Sequence, residues 1–159
     1  MAVATNDAEL RAMLEAALQS AVEYTVEEIK KLNVEKIEEI VYGAGTPDEY
    51  SRTYTFEQAW DYSVGGGSGV SGEFHWAPEY LSYHPSIVTG EDIRDGLADI
   101  IYQGMAGHVL GTGFWTAKRD AFNALQQALK KNELRRLFEA GMTKAGLNWQ
   151  RHTAGIGLS

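Results

Sequence analysis

Apolar residues at helical spacing run through the first quarter of the chain and constrain its fold more than any other feature. Leu10, Leu14, Ala17, Leu18, Ala21, Val22, Ile29 and Leu32 recur every three or four positions, with Thr25 as a polar member of the same stripe. Glu23, Glu27, Glu28, Lys30 and Lys31 fall on the other side, and Val34, Ile37, Ile40 and Val41 carry the spacing on to Gly43. Asn6, followed three residues later by Glu9, is a capping pair, and Gly43 with Gly45 is the stop. If Asn33 does not interrupt it, one amphipathic helix spans residues 7 to 42, about 50 Å at the α-helical rise. The alternative is two ordinary helices kinked near Asn33. A helix of the full length outreaches a small core.

The middle of the chain is rich in turns and aromatics. Residues 43 to 49 force a loop, and Arg52 to Phe56 reads as a short strand. Trp60, Tyr62 and Val64 continue the alternation until a glycine-rich run, Gly65 to Gly72, that suits a flexible loop or hairpin tip. Glu73 to Ala77 is a second strand, with Phe74 and Trp76 on one face, Glu73 and His75 on the other, and Pro78 as its end. Helical spacing returns from Thr89 or Gly90, with Glu91 and Asp92 in the first turn and Ile93, Leu97, Ile100 and Ile101 as the apolar face, and Gly104 closes the segment. Residues 105 to 113 read as a loop, after which Phe114 and Trp115 stand beside glycine and require burial. The last helix is expected from about Thr116, carrying Phe122, Leu125, Leu129, Leu134, Leu137, Phe138 and Met142, with a break at Lys131 to Asn132 and a C-terminal cap at Gly146.

These elements define an α+β fold: a long N-terminal amphipathic helix, a small antiparallel sheet, and further helices including a C-terminal helix packed on the sheet. The 159 residues suit one structural domain over residues 1–149, followed by a flexible C-terminal tail, 150–159.

Composition excludes several kinds of function. The chain has no cysteine, so disulfide frameworks and thiolate metal sites are out. No stretch approaches the roughly 18 to 20 apolar residues of a membrane span, and Met1 to Asp7 lacks the layout of a secretory signal. Gly67 to Gly72 matches the G-x-G-x-x-G pattern, but a strand that stops at Pro78 follows it, where a dinucleotide site needs a helix. The histidines His75, His84, His108 and His152 offer one i, i+4 pairing, His75 with Glu79, and Pro78 breaks it. No serine lies in a nucleophile elbow. The reading is of a non-enzymatic protein with no cofactor and no metal; a hydrolase built on His75, Glu79 and His84 is the rival that bound metal would favour.

Charge is divided along the chain. Residues 1–50 carry 11 acids and 4 bases, residues 51–100 carry 8 and 2, and residues 101–159 carry 3 and 8. Acidic and basic parts either neutralise each other within one molecule or meet between neighbours. A nucleic-acid face from Lys118, Arg119, Lys130, Lys131, Arg135, Arg136 and Lys144 is disfavoured by the acidic remainder. Aromatics crowd residues 42 to 83. They either pack under the end helices or face a partner, since Tyr and Trp bury much area with few rotatable bonds. The candidate interface residues are Trp60, Tyr62, Trp76, Tyr80, Phe114, Trp115, Arg135 and Arg136.

Two segments carry a family resemblance. Val41-Tyr42-Gly43-Ala44-Gly45-Thr46-Pro47-Asp48-Glu49-Tyr50-Ser51-Arg52-Thr53-Tyr54, entered from the long helix, resembles the Val-Tyr, Pro and Tyr-x-Arg signature of small neck-type proteins of long-tailed bacteriophages. Leu97-Ala98-Asp99-Ile100-Ile101-Tyr102-Gln103-Gly104, then Gly113-Phe114-Trp115, the pair Lys118-Arg119 and Phe122, is similar to the closing half of tail-completion proteins, although Lys118-Arg119-Asp120-Ala121-Phe122 replaces a Pro-Arg-Pro-Phe-like run. The resemblance covers about residues 7 to 146. It implies a virion protein of the neck or upper tail, assembled in the host bacterial cytoplasm as a closed ring, commonly of six copies. Its implied partners are itself, portal-adaptor or connector proteins, and tail-tube or tail-terminator proteins, with DNA passing through the hole unread. The basic final helix is then expected near an acidic surface of a neighbour. The alternative is a small adaptor or inhibitor that binds a host protein through the aromatic middle.

Overall fold

The computed structural model describes residues 5–43, 55–66, 69–81, 90–104, 118–130 and 132–147. Helix α1 spans Asp7–Ile37 and passes without interruption into a π-helical turn, Glu38–Tyr42, that ends at Gly43. Asn6 caps it, its Oδ1 accepting from the Glu9 amide at 3.0 Å, while the Glu9 carboxylate reaches back to the amide and hydroxyl of Thr5. Helix α1 continues unbroken through Asn33, so the chain does not divide into two helices there. Asn33 is fully buried in the middle of the stripe, where packing outweighs its weak helix propensity.

Strands β1, Trp60–Gly66, and β2, Val70–Trp76, form an antiparallel ribbon in which Trp60 pairs with Trp76, Tyr62 with Phe74 and Val64 with Gly72. One face therefore carries Trp60, Tyr62, Phe74 and Trp76, and the other Asp61, Ser63, Glu73 and His75. Both strands extend into the glycine-rich run, β1 as far as Gly66 and β2 from Val70. Phe56, expected at the end of a strand, instead opens a 3-10 turn, Phe56–Ala59. There its backbone amide donates to the Tyr42 hydroxyl at 3.2 Å, a bond to the π-helical turn after α1 that displaces strand geometry.

Helix α2, Leu97–Gln103, starts later than the helical spacing implies. Asp92 accepts from the backbone amide of Arg94 at 3.1 Å and binds its guanidinium, a local turn that competes with the first helical turn. Gly104, at φ 72°, closes α2. Helix α3, Ala121–Leu129, is capped by Asp120, whose Oδ1 accepts from the Asn123 amide at 2.9 Å, and so begins after Thr116. The anticipated break follows, with Asn132 in the left-handed region at φ 77°, and helix α4 spans Glu133–Lys144. Gly146, at φ 76°, lies just past its end.

The architecture is α+β, as expected. One detail differs: α3 reaches the sheet through Phe122, whereas α4 runs back along α1, from Leu137 in a cluster with Ile29 to Gly141 against Ala21. The buried stripe explains the arrangement. Ala21, Thr25, Ile29, Asn33, Ile37 and Val41 are buried at steps of four residues. Four residues turn the helix by about 400°, so the buried line advances by about 40° per step and winds around α1. Near its start the stripe meets α4 and β2. Near its middle Ile29 meets Leu125 and Leu137, and at its end Ile37 and Val41 join Phe56, Trp60, Leu97 and Tyr102. Phe74 and Phe122 pack against both clusters and join them.

Two glycines permit the approach at the start of the stripe. A Cβ on Gly141 would lie 2.5 Å from the carbonyl oxygen of Ala21, and one on Gly72 would lie 2.7 and 2.8 Å from γ-carbons of Val26 and Val22. Replacing Gly141 with Ala is expected to push α4 off α1 and cost about 1–3 kcal/mol by overpacking, more than the ~1 kcal/mol of helix propensity it gains; the urea midpoint measures the balance. Asn33 has neither amide atom bonded, which makes it a cost to the core. Asn33→Leu keeps the branched outline without the unpaired polar atoms and is expected to raise stability by about 1–3 kcal/mol; a lower denaturation midpoint would contradict this.

Candidate interaction surface

The candidate interface residues separate into three groups. Trp60 is 6 % exposed and lies at the centre of an aromatic cluster. Its ring stacks on Phe74 at 5.4 Å and Phe122 at 5.7 Å, meets Trp76 edge-on at 5.3 Å, and lies 6.1 Å from Tyr102. Trp60 is therefore committed to its own chain and leaves the set of interface candidates, because α3 and α2 cover the sheet face it occupies. Trp76 is half-buried and packs on Phe56 as well as Trp60, so one edge of it reaches the surface. Phe114 and Trp115 lie outside the described residues.

Tyr62 and Tyr80 form the second group. Lys30 of α1 donates to Asp61 Oδ1 at 3.0 Å, and the Tyr80 hydroxyl donates to Asp61 Oδ2 at 3.1 Å. The Tyr62 hydroxyl donates to Glu27 Oε1 at 3.1 Å, and the Lys30 ammonium stands 5.9 Å from the Tyr62 ring centroid. This network ties the ribbon to α1 along one flank. The Lys30 hydrogen bond, with further bonds from the Tyr62 backbone and Tyr80, holds the Asp61 carboxyl below the usual carboxylate range. The bond to Asp61 and the charge of that carboxylate oppose ionisation of Tyr80, and burial followed by the Glu27 bond does the same for Tyr62. Tyr80 remains 55 % exposed, with its ring open to a partner.

Arg135 and Arg136 are the third group, both exposed on α4. Arg136 binds Glu133 through two bonds at 2.6 and 2.9 Å, and that carboxylate raises its pKa further. Ion pairs between described residues leave the division of charge largely intact. Lys31 with Glu28, Lys36 with Glu39, Arg94 with Asp92, and Arg136 with Glu133 are neighbours in sequence. Lys30 with Asp61 joins two acidic thirds of the chain. None of these five pairs joins a base of residues 101–159 to an acid of residues 1–100, and Lys144 lies over the Tyr24 ring at 4.6 Å.

The larger exposed feature escaped the aromatic inventory. Leu10, Met13 and Leu14 are 49, 41 and 44 % exposed on the first turns of α1, and Leu134 at the start of α4 is 47 % exposed. The signal was in the sequence: the stripe begins eleven positions before Ala21, its first buried member. An expectation focused on Tyr and Trp passes over a Leu and Met stripe. Among the described residues no three His, Asp or Glu side chains converge as metal ligands, and no helix is long and apolar enough to cross a membrane. His75 is half-buried and Glu79 exposed, while His84 lies outside the described residues.

Comparison with known protein families, curated protein sequences and solved structures gives no match to this chain.

The Asp61 network generates a pH dependence. The folded carboxyl titrates below the unfolded value of about 4, so its contribution is present above that value and is lost as pH falls through the folded pKa. Asp61→Asn is expected to lower the urea midpoint slightly at neutral pH, with the difference from the parent shrinking toward zero in strong acid; an equal difference at every pH would contradict the assignment.

Proposed function

We propose that this chain is a structural subunit of a tailed-bacteriophage virion, which joins copies of itself into a ring at the head-tail junction and lets DNA pass. The observation that carries the reading is the surface of α1. Its first turns extend past Ala21 with Leu10, Met13 and Leu14 in solvent, an apolar surface beyond what the chain's own core covers. The charge division supports the same reading, because the ion pairs described above leave acidic and basic regions available to a neighbour. The resemblance of residues 41–54 and 97–122 to neck and tail-completion proteins supplies the virion context. Portal-side and tail-side proteins are the further partners it implies, and the chain contributes shape and contact rather than bond-making chemistry.

A ring of identical subunits requires two different surface patches that meet head to tail and close. Native mass measurement is expected to give one multimer of defined copy number, with a central hole in electron micrographs. If acidic and basic patches meet, raising salt from the low to the molar range is expected to shift the multimer toward smaller species, since screening acts on exposed pairs. A monomer at every concentration would overturn the proposal and favour the adaptor reading, in which exposed Tyr80 and the edge of Trp76 contact a host protein.

A further inference from the structure

Four of the five large apolar side chains most exposed among the described residues lie on two separate patches of the helical pair α1 and α4. The first patch is the free start of α1, with Leu10, Met13 and Leu14. The second is the corner between α3 and α4, with Leu134. The charges around them are opposite. Residues 7–20 carry three acids and one base, whereas residues 130–136 carry four bases and one acid. Asp7 and Glu9 are exposed in the first turn of α1, and Lys130 and Arg135 are exposed at the corner.

The two patches also lie apart. Since α4 runs back along α1 from the level of Ile29 to that of Ala21, Leu134 sits beyond the Ile29 level while Leu14 sits fifteen residues before it. At the helical rise, that is more than about 20 Å. Both patches can therefore be occupied at once, and neither is able to reach the other within one molecule.

We infer that the free start of α1, through Leu10, Met13 and Leu14, docks on the α3–α4 corner of a second copy of this chain, against Leu134 with Arg135 facing the acids of the first turn. The contact is heterologous: each copy offers the helix end to one neighbour and the corner to the other. This inference rests on the self-association proposed above and names the surfaces that make it. Apolar contact supplies the attraction, and the opposed charges fix direction, since start-to-start or corner-to-corner pairing sets like charge against like.

The chain lacks cysteine, so introduced thiols report the contact directly. Leu14→Cys and Leu134→Cys are made as separate single variants; both sites are exposed, and unchanged far-UV helix signal and thermal midpoint verify the fold. On mild oxidation each variant alone is expected to stay uncross-linked. An equimolar mixture is expected to give a disulfide pair of twice the chain mass, with peptide mapping showing residue 14 joined to residue 134. A companion variant, Leu14→Glu, is expected to lose the multimer while keeping its helix content. If the parent is a multimer but the mixture does not cross-link, or Leu14→Glu assembles as the parent does, this contact is wrong and the ring proposal stands. If Leu14→Cys cross-links to itself, the interface is a symmetric pair of helix ends, which also overturns the inference. A parent that is monomeric throughout removes both.

Discussion

The rest of the structure depends on the winding of one buried line around α1. Were the stripe strictly on one side, every other element would have to compete for a single face of a thin cylinder. With buried residues at steps of four from Ala21 to Ile37, the contact surface turns through about 160° over four α-helical steps, and Val41 follows in the π-helical turn. Partners are thus distributed around the helix as well as along it. Near Ala21 the neighbours are close-packed backbone, because Gly141 and Gly72 present no side chain there. Farther along, Ile29 meets Leu125 and Leu137, and the last turns meet large rings. The π-helical turn at Glu38–Tyr42 ends this series with Val41 in the core and the Tyr42 hydroxyl bound to Glu57.

A two-stranded ribbon has little stability of its own in water. Here it gains stability from both sides of its aromatic face. Helix α1 lies against Gly72 and, through Lys30 and Glu27, holds Asp61 and Tyr62; Phe122 of α3 and Tyr102 of α2 stack on Trp60. Aromatic pairs of this kind add about 0.5–1.5 kcal/mol each beyond the area they bury. The opposite face keeps Ser63, Glu73 and His75, which suits a sheet covered on one side. Burial of Trp60 therefore follows from the register: pairing with Trp76 puts both indoles on the aromatic face, and Asp61 with His75 on the other.

Features set by neighbours in sequence were legible in advance. The Asn6 cap, the stop at Gly43, the end of α2 at Gly104, the reversal at Asn132 and the turn at Gly146 each depend on a few adjacent residues and the conformations they favour. Where distant contacts compete with local preference, the sequence reading failed or stayed open. Asn33 looked like a kink because its side chain is polar, but its depth in the core is decided by what packs around α1. Glu91 and Asp92 looked like a first helical turn, yet Asp92 engages Arg94, whose guanidinium also donates to the Leu81 carbonyl at 3.1 Å, far back in the chain. Alternation correctly grouped Phe74 with Trp76 but carried no information on which helices cover that face. It therefore could not separate Trp60, a core residue, from Tyr80, a surface one.

The exposed start of α1 raises an energetic problem that the rest of the fold does not solve. Isolated helices shorter than about 12–15 residues are marginal in water, so turns that leave the core need support at their free end or along their side. Support at the end exists: Asn6 and Glu9 satisfy backbone and side-chain donors there. The side instead leaves Leu10, Met13 and Leu14 between 41 and 49 % exposed, residues that add helix propensity but are only partly covered. Such a segment is the least stable part of its helix and the first to open. Contact with another surface would bury the three side chains and order the same turns, so assembly and completion of α1 become one coupled step. The charges then set its polarity, since an acidic helix start is matched by the basic α3–α4 corner and opposed by another start like itself.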